Sequence, residues 1–199
     1  MNTETWVMWH PSTAYRFLVK QSGGDRSGIR ALVNRPLFFA FLIGCTVSLL
    51  TSATLTARLA APAMLNWSFV PIIEIASLAV VCRRTRRNTP FPHLVDLFFR
   101  GCGPWSAWLI GLSVIWAFLS PITVASHFSL SRVWLYGGGI AAAAWSAFID
   151  LSFFRFVLER DPRSAVRDLV FQRAISWGLI APILGAPTIW SEVVGRIPF

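Results

Sequence analysis

Two of the acidic residues inside apolar stretches of this 199-residue chain, Glu74 and Asp150, stand where a carboxyl group finds little water. Glu74 lies near the middle of the stretch 63–82, three residues after Pro71. Asp150 lies toward the end of the stretch 133–154. A charge at the centre of a membrane-spanning helix costs about 2.5–3.5 kcal/mol by insertion measurements. We therefore expect the Glu74 carboxyl to be neutral, paired, or wetted by a cavity.

Two roles for these carboxyl groups are open. Glu74 is either a group that handles protons or a ligand, or a hydrogen-bonded carboxyl that fixes helix packing near Pro71. The second role is favoured, because the sequence indicates no buried basic residue that would complete a relay. Asp150 is expected to extend its carboxyl group toward the inner interface, where Arg155 lies five residues on. A pairing of Glu74 with Asp150 is a further possibility, since both lie in the same half of their stretches.

Small residues recur at four-residue spacing in the stretch that contains Asp150. Such spacing lets two helix backbones approach closely, which is how helices associate in lipid. The sequence leaves open whether this contact is made within the chain or with a partner. The two rows of small residues are Gly138, Ala142 and Ser146, and Gly139, Ala143 and Ala147.

Other residue types that carry chemistry are scattered. His93 and Asp96 are expected to form a solvated pair at the membrane surface. The three cysteines, Cys45, Cys82 and Cys102, form no CxxC pair, so the sequence predicts neither a metal site nor a disulfide. No nucleophile, metal or nucleotide motif is present. We expect a protein that is not an enzyme and holds no cofactor.

The composition shows which elements must position these residues. Hydrophobic residues make up 55% of the chain, charged residues make up 14%, and the mean hydropathy is +0.58. A helix of about 20 apolar residues spans a bilayer. The sequence therefore predicts an all-α membrane domain, residues 36–199, with five transmembrane helices. The predicted spans are 36–56, 63–82, 105–125, 133–154 and 175–194.

The distribution of basic residues predicts the orientation of these spans. Fifteen of the eighteen Arg and Lys residues lie before the first span, after the second or after the fourth. Basic loops stay in the cytoplasm, so we expect a cytoplasmic N-terminus and an outside C-terminus. Seventeen of the eighteen are Arg, which indicates a bacterial coding bias and hence a bacterial inner membrane. The net charge of +9 is therefore expected to set the orientation of the spans in the membrane rather than to bind nucleic acid.

Three segments on the cytoplasmic side are predicted to be amphipathic helices lying in the interface. They are residues 12–20 within a cytoplasmic segment 1–35, residues 94–99, and residues 166–171. Basic residues beside them are expected to contact anionic lipid. These are Arg83, Arg84, Arg86, Arg87, Arg163 and Arg167.

The order of these features resembles the Yip-domain family, in its bacterial type. Its members have five helices, a cytoplasmic N-terminus, and longer loops after the second and fourth helices. Bacterial members open with a Pro-containing amphipathic stretch, which here is His10–Lys20, HPSTAYRFLVK. The resemblance implies the five-helix fold and a membrane-organising role.

The sequence therefore predicts a non-enzymatic membrane scaffold or accessory subunit. Its partners would be an anionic bilayer and other membrane subunits, contacted through the small residues of the fourth span. The alternative is a small transporter or channel component in which Glu74 is the working carboxylate.

Overall fold

The computed structural model of the chain describes residues 3–21, 29–52, 54–83, 89–118 and 133–194. These residues form helices and contain no strand, which confirms the all-α class. A 3-10 turn, Arg100–Cys102, follows the helix Phe91–Phe99, and a π-helical turn, Val133–Gly138, precedes the helix Gly139–Phe156. The helices are α1 (Thr3–Trp9), α2 (Pro11–Gln21), α3 (Ile29–Ser52), α4 (Ala57–Trp67), α5 (Phe69–Arg83), α6 (Phe91–Phe99), α7 (Gly103–Phe118), α8 (Gly139–Phe156) and α9 (Pro162–Val194).

Helix covers most of the described part of every predicted span, apart from residues 54–56 of the first span and Ser68 in the second. Within these described ranges, two helical stretches have the length and hydropathy to cross a membrane, Ala57–Arg83 and Leu135–Phe156. Val33–Leu49 is a shorter apolar helix. The rest of the predicted third span, beyond Phe118, lies outside the described residues.

The second predicted span is divided at Ser68 into α4 and α5. Pro71 has no backbone N–H to donate to the carbonyl of residue 67, so the helical ladder is interrupted there. The Ser68 hydroxyl donates to the Leu65 carbonyl oxygen at 2.7 Å. This break precedes the turn that carries Glu74.

Two contacts hold α3 against its neighbours. A Cβ atom on Gly44 would lie 2.7 Å from the Ala60 carbonyl oxygen, so only glycine allows α3 to approach α4 this closely. On another face of α3, the Ser113 hydroxyl of α7 donates to Thr46 Oγ1 at 3.0 Å. The second contact joins the first and third predicted spans, whereas Ala60 lies just before the second predicted span.

The main hydrophobic core gathers the N-terminal helices and α6 against α5, α8 and the start of α9. Tyr15 of α2 is fully buried there, and its hydroxyl donates to the Leu97 carbonyl oxygen at 3.3 Å. Its ring packs edge-on against Phe153, with 5.8 Å between the ring centroids. The helix predicted at residues 12–20 is present as α2, with Ala14, Tyr15 and Leu18 on its buried face.

Two of the predicted interfacial helices differ from the structure. Residues 94–99 do form a helix, but all six are buried, because α3, α5 and α8 pack against α6. Residues 166–171 form no separate helix, since α9 runs unbroken through them. The start of α9 is capped by Asp161, whose side-chain oxygen accepts a hydrogen bond from the Ser164 backbone N–H at 3.1 Å.

Candidate functional site

Three charged side chains from three helices meet between α5, α8 and α9. Arg173 of α9 donates from Nη1 to Glu74 Oε1 at 3.2 Å and from Nη2 to the carboxylate of Asp150. The same Nη2 donates to the Ser146 hydroxyl at 3.2 Å. Asp150 is only 2% exposed. Glu74, Asp150 and Arg173, called here the Arg173 cluster, carry two carboxylates and one guanidinium.

A neighbouring glutamine fixes the second oxygen of Glu74. Gln172 is fully buried, and its Nε2 donates to Glu74 Oε2 and to the Ser77 hydroxyl, the latter at 3.1 Å. The Ser77 hydroxyl in turn donates to the Glu74 backbone carbonyl at 2.9 Å. Both carboxylate oxygens of Glu74 therefore have a donor, and its position is held by two helices.

The Arg173 cluster forms part of the wall of a cavity of about 390 Å³ between α3, α5, α7, α8 and α9. Pockets for small molecules have volumes of about 300–1,000 Å³. Apart from the cluster, Ser146, Thr46 and Cys102, its wall is apolar and rich in aromatic rings. The tryptophans in this wall are Trp67, Trp105, Trp108 and Trp177.

No family model matches the chain, and no curated protein or solved structure is similar to it at a significant level. The role of the cavity is therefore argued from its own residues. Its wall offers an apolar surface with one charged patch, and such a surface suits a small molecule with an apolar body and one polar group.

The structure brings together the two carboxyl groups that the sequence singled out, through a residue that the sequence analysis missed. Asp150 pairs with Arg173 rather than with Arg155, which is exposed and lies 5.4 Å from the centre of the Phe156 ring. The distribution of basic residues along the chain assigns Arg173 to the loop after the fourth predicted span, because Arg173 precedes the fifth apolar stretch. One sequence pattern indicated that polar residues here face the interior. Asp168, Gln172 and Ser176 recur every four residues, which places them on one face of a helix, and all three are buried in the structure.

The small residues of α8 make contacts inside the chain. Ala142 and Ser146 are buried, and a Cβ atom on Gly139 would lie 3.4 Å from the Trp108 ring of α7. Gly138, Ala143 and Ala147 are half-buried. The close contact of this face is therefore with α7 and with Arg173 of α9.

A second charged cluster lies between α1, α3 and α6, away from the cavity. Asp96 accepts from Arg35 Nε at 2.6 Å and from Arg100 Nε at 2.9 Å. Arg35 also pairs with Glu4, whose side chain is half exposed. The Asp96 cluster, comprising Glu4, Arg35, Asp96 and Arg100, has equal numbers of positive and negative groups. Asp96 is only 8% exposed, so the prediction of a solvated His93–Asp96 pair is wrong.

The residues predicted to contact lipid are only partly described. Arg83, Arg163 and Arg167 are exposed. Arg84, Arg86 and Arg87 lie outside the described residues. A further ion pair joins Arg160 to the buried Asp168 at 2.9 Å.

The cysteines offer no reactive group at the cavity. Burial raises the pKa of the Cys102 thiol well above its ordinary range, and the nearby carboxylate of Asp150 raises it further. The thiol is therefore protonated and is a poor nucleophile. Within the described ranges, no group of three His, Cys, Asp or Glu side chains is placed to hold a metal ion.

Proposed function

We propose that the chain is an integral membrane protein with five spans. The support comes from large apolar side chains that are exposed on helices of every predicted span. A water-soluble monomer rarely exposes so much apolar surface, whereas lipid is a suitable solvent for it. Examples are Phe38, Leu65, Ile110, Ile140 and Ile183, which are between 45% and 73% exposed.

The proposed orientation places the basic end of the molecule in the cytoplasm. Arg16 of α2 lies 4.4 Å from the centre of the Phe156 ring, at the C-terminal end of α8. This contact brings the basic N-terminal segment beside Arg155 at the end of α8 and beside the loop that carries Arg160. Arg58 lies at the opposite end of the long apolar stretch from Arg83. The arrangement agrees with a cytoplasmic N-terminus in a bacterial inner membrane and with contacts to anionic lipid.

Within this fold, the proposed activity is the binding of a small apolar or amphiphilic molecule in the cavity. The chain would then act as a small transporter or carrier component, with Glu74 as its working carboxylate. One observation carries this proposal: a cavity of about 390 Å³ with an apolar, aromatic wall is open to three charged side chains. A carboxylate whose only task was helix packing would not need to face such a space.

The scaffold or accessory-subunit role of the Yip-like type is the second proposal. It is favoured by the outer face of α8, where Ala141 and Ala144 are exposed beside Ile140 and Phe148, and by Gly137, which is exposed in the π-helical turn before α8. These small residues differ from those predicted, which pack inside the chain. A partner helix could approach this face closely.

A cavity-blocking variant separates the two proposals. Val70 lines the cavity, whereas Ile72 on the same helix is 61% exposed. In equilibrium dialysis of the purified full-length protein, triphenylphosphine oxide, a neutral apolar probe, should bind the wild type and Ile72→Trp alike. Val70→Trp should weaken binding at least about tenfold, or about 1.4 kcal/mol. Equal binding by both variants would contradict the cavity proposal.

The scaffold proposal has its own test. Phe148→Ala should release a membrane subunit that co-purifies with the wild type in mild detergent, while Val70→Trp should retain it. If the wild type is isolated as a lone monomer, the scaffold role is wrong.

A further inference from the structure

We propose that the molecule held in the cavity is a lipophilic cation, such as an amine or quaternary ammonium compound with a large apolar body. This inference rests on the proposed binding function and adds the charge of the ligand. Its cationic group would lie beside Glu74 and Asp150, and its apolar body would lie against the tryptophans.

The charge of the cavity wall is the first argument. Among the described residues that line the cavity, Arg173 is the only basic one, and it already contacts both carboxylates. The wall therefore has one more negative group than positive groups. A buried charge without a partner is costly, and the compensating charge has to come from a proton or from a bound cation. An anion would instead add to the excess.

The shape of the charged patch is the second argument. An anionic ligand would need Arg173 as its partner, but the guanidinium is held by Glu74, Asp150 and Ser146 together. Freeing it would leave two buried carboxylates uncompensated. A cation needs no such rearrangement, because each carboxylate oxygen can accept more than one donor.

The aromatic wall is the third argument. Trp177 follows Arg173 by four residues on α9, so its indole lies on the same face of the helix as the charged patch. Trp105 packs beside it, with 6.3 Å between the ring centroids. The face of an indole ring attracts a cation within about 6 Å of its centre. The wall therefore offers a cation both carboxylates and aromatic faces.

The Asp96 cluster provides a contrast within the same chain. Its two carboxylates and two guanidinium groups balance, and its residues do not line the cavity. The excess of negative charge is therefore particular to the cavity, and Glu4 supplies a control position.

Two probes of nearly the same shape and opposite charge test the inference. Tetraphenylphosphonium and tetraphenylborate are compared by equilibrium dialysis against the full-length protein in mild detergent, with protein-free micelles subtracted. The phosphonium cation should bind at least about tenfold more tightly than the borate anion. Glu74→Gln and Asp150→Asn should each weaken binding of the phosphonium cation about tenfold. Each should leave the affinity for triphenylphosphine oxide within about twofold of the wild-type value. Glu4→Gln should change neither probe.

The outcomes separate the two proposals. If the neutral probe binds but the two ions bind equally, or the anion binds more tightly, the inference about charge is wrong and the cavity proposal stands. If Val70→Trp binds the neutral probe as tightly as the wild type does, the cavity proposal is wrong as well. The comparison of the two ions uses the wild type alone, so it decides the charge of the ligand even where a variant does not fold.

Discussion

Two clusters of charged side chains in the described part of the chain differ in charge balance and surroundings. In the Asp96 cluster, four groups balance and the half-exposed Glu4 reaches the surface. In the Arg173 cluster, one guanidinium serves two carboxylates on the wall of an apolar cavity. Helix packing accounts for the first, because its ion pairs join α1, α3 and α6. Packing alone does not require the extra carboxylate of the second, which points to a ligand.

Arg173→Gln should have the largest effect on stability. Removal of the guanidinium leaves Glu74 and Asp150 buried together without a positive partner, and breaking a buried ion pair costs about 3–5 kcal/mol. The free energy of unfolding, measured in mixed micelles as the fraction of denaturing detergent is raised, should fall by about 4 kcal/mol. A loss no larger than that of Asp96→Asn would show that the two clusters do not differ in this way.

Asp96→Asn should cost less, about 2–3 kcal/mol. The two guanidinium groups that lose their carboxylate are each more than a fifth exposed, so water can partly replace it. Glu4→Gln, measured in the same way, should cost less than about 1 kcal/mol, because exposed ion pairs contribute little. If the Glu4 variant were the less stable of the two, the described order of burial would be wrong.

Gly101→Ala should disturb the boundary between the clusters by about 1–2 kcal/mol. Its new Cβ atom would lie 2.9 Å from both Ile149 Cγ2 and the Tyr15 hydroxyl, and 3.8 Å from Asp150 Oδ1. Gly178→Ala on α9 is the matched control, since a Cβ atom there meets nothing within 4 Å. The control should be neutral or slightly stabilising, because alanine favours helix more than glycine does.

The titration of Tyr15 should report the charge of Asp150. Burial raises the pKa of Tyr15 well above its ordinary value of about 10, and the Asp150 carboxylate raises it further. Since the folded state disfavours tyrosinate, Tyr15 stabilises the fold fully below about pH 10, and this contribution is lost as the pH rises above that value. The pKa of Tyr15 is measured from the ultraviolet absorbance of tyrosinate in a Tyr136→Phe background, which removes the other tyrosine.

Asp150→Asn in that background should lower the pKa of Tyr15 by a fraction of the whole shift, because burial is the larger cause. An unchanged pKa would mean that Asp150 carries no charge in the folded protein. That result would weaken the contrast between the clusters, since the cavity wall would then be neutral.

Sequence patterns were sufficient for the all-α class and for two of the three charged residues at the site. Apolar runs of about 20 residues predict helix directly, and Glu74 and Asp150 stand out as carboxyl groups within such runs. Arg173 was missed because counting charges along the chain places it in a loop, whereas α9 continues through that loop. The burial of residues 94–99 was missed for a similar reason. Which surface covers α6 depends on α3 and α8, which are distant in the sequence.

The most direct test of the account is whether the Arg173 cluster behaves as one buried unit. The free energy of unfolding is compared for Arg173→Gln alone and for the triple variant that adds Glu74→Gln and Asp150→Asn. Because the triple variant buries no charge at this position, it should be more stable than Arg173→Gln alone, by at least about 2 kcal/mol. If the added substitutions instead lower the stability further, the buried carboxylates of Glu74 and Asp150 do not depend on Arg173 to compensate their charge.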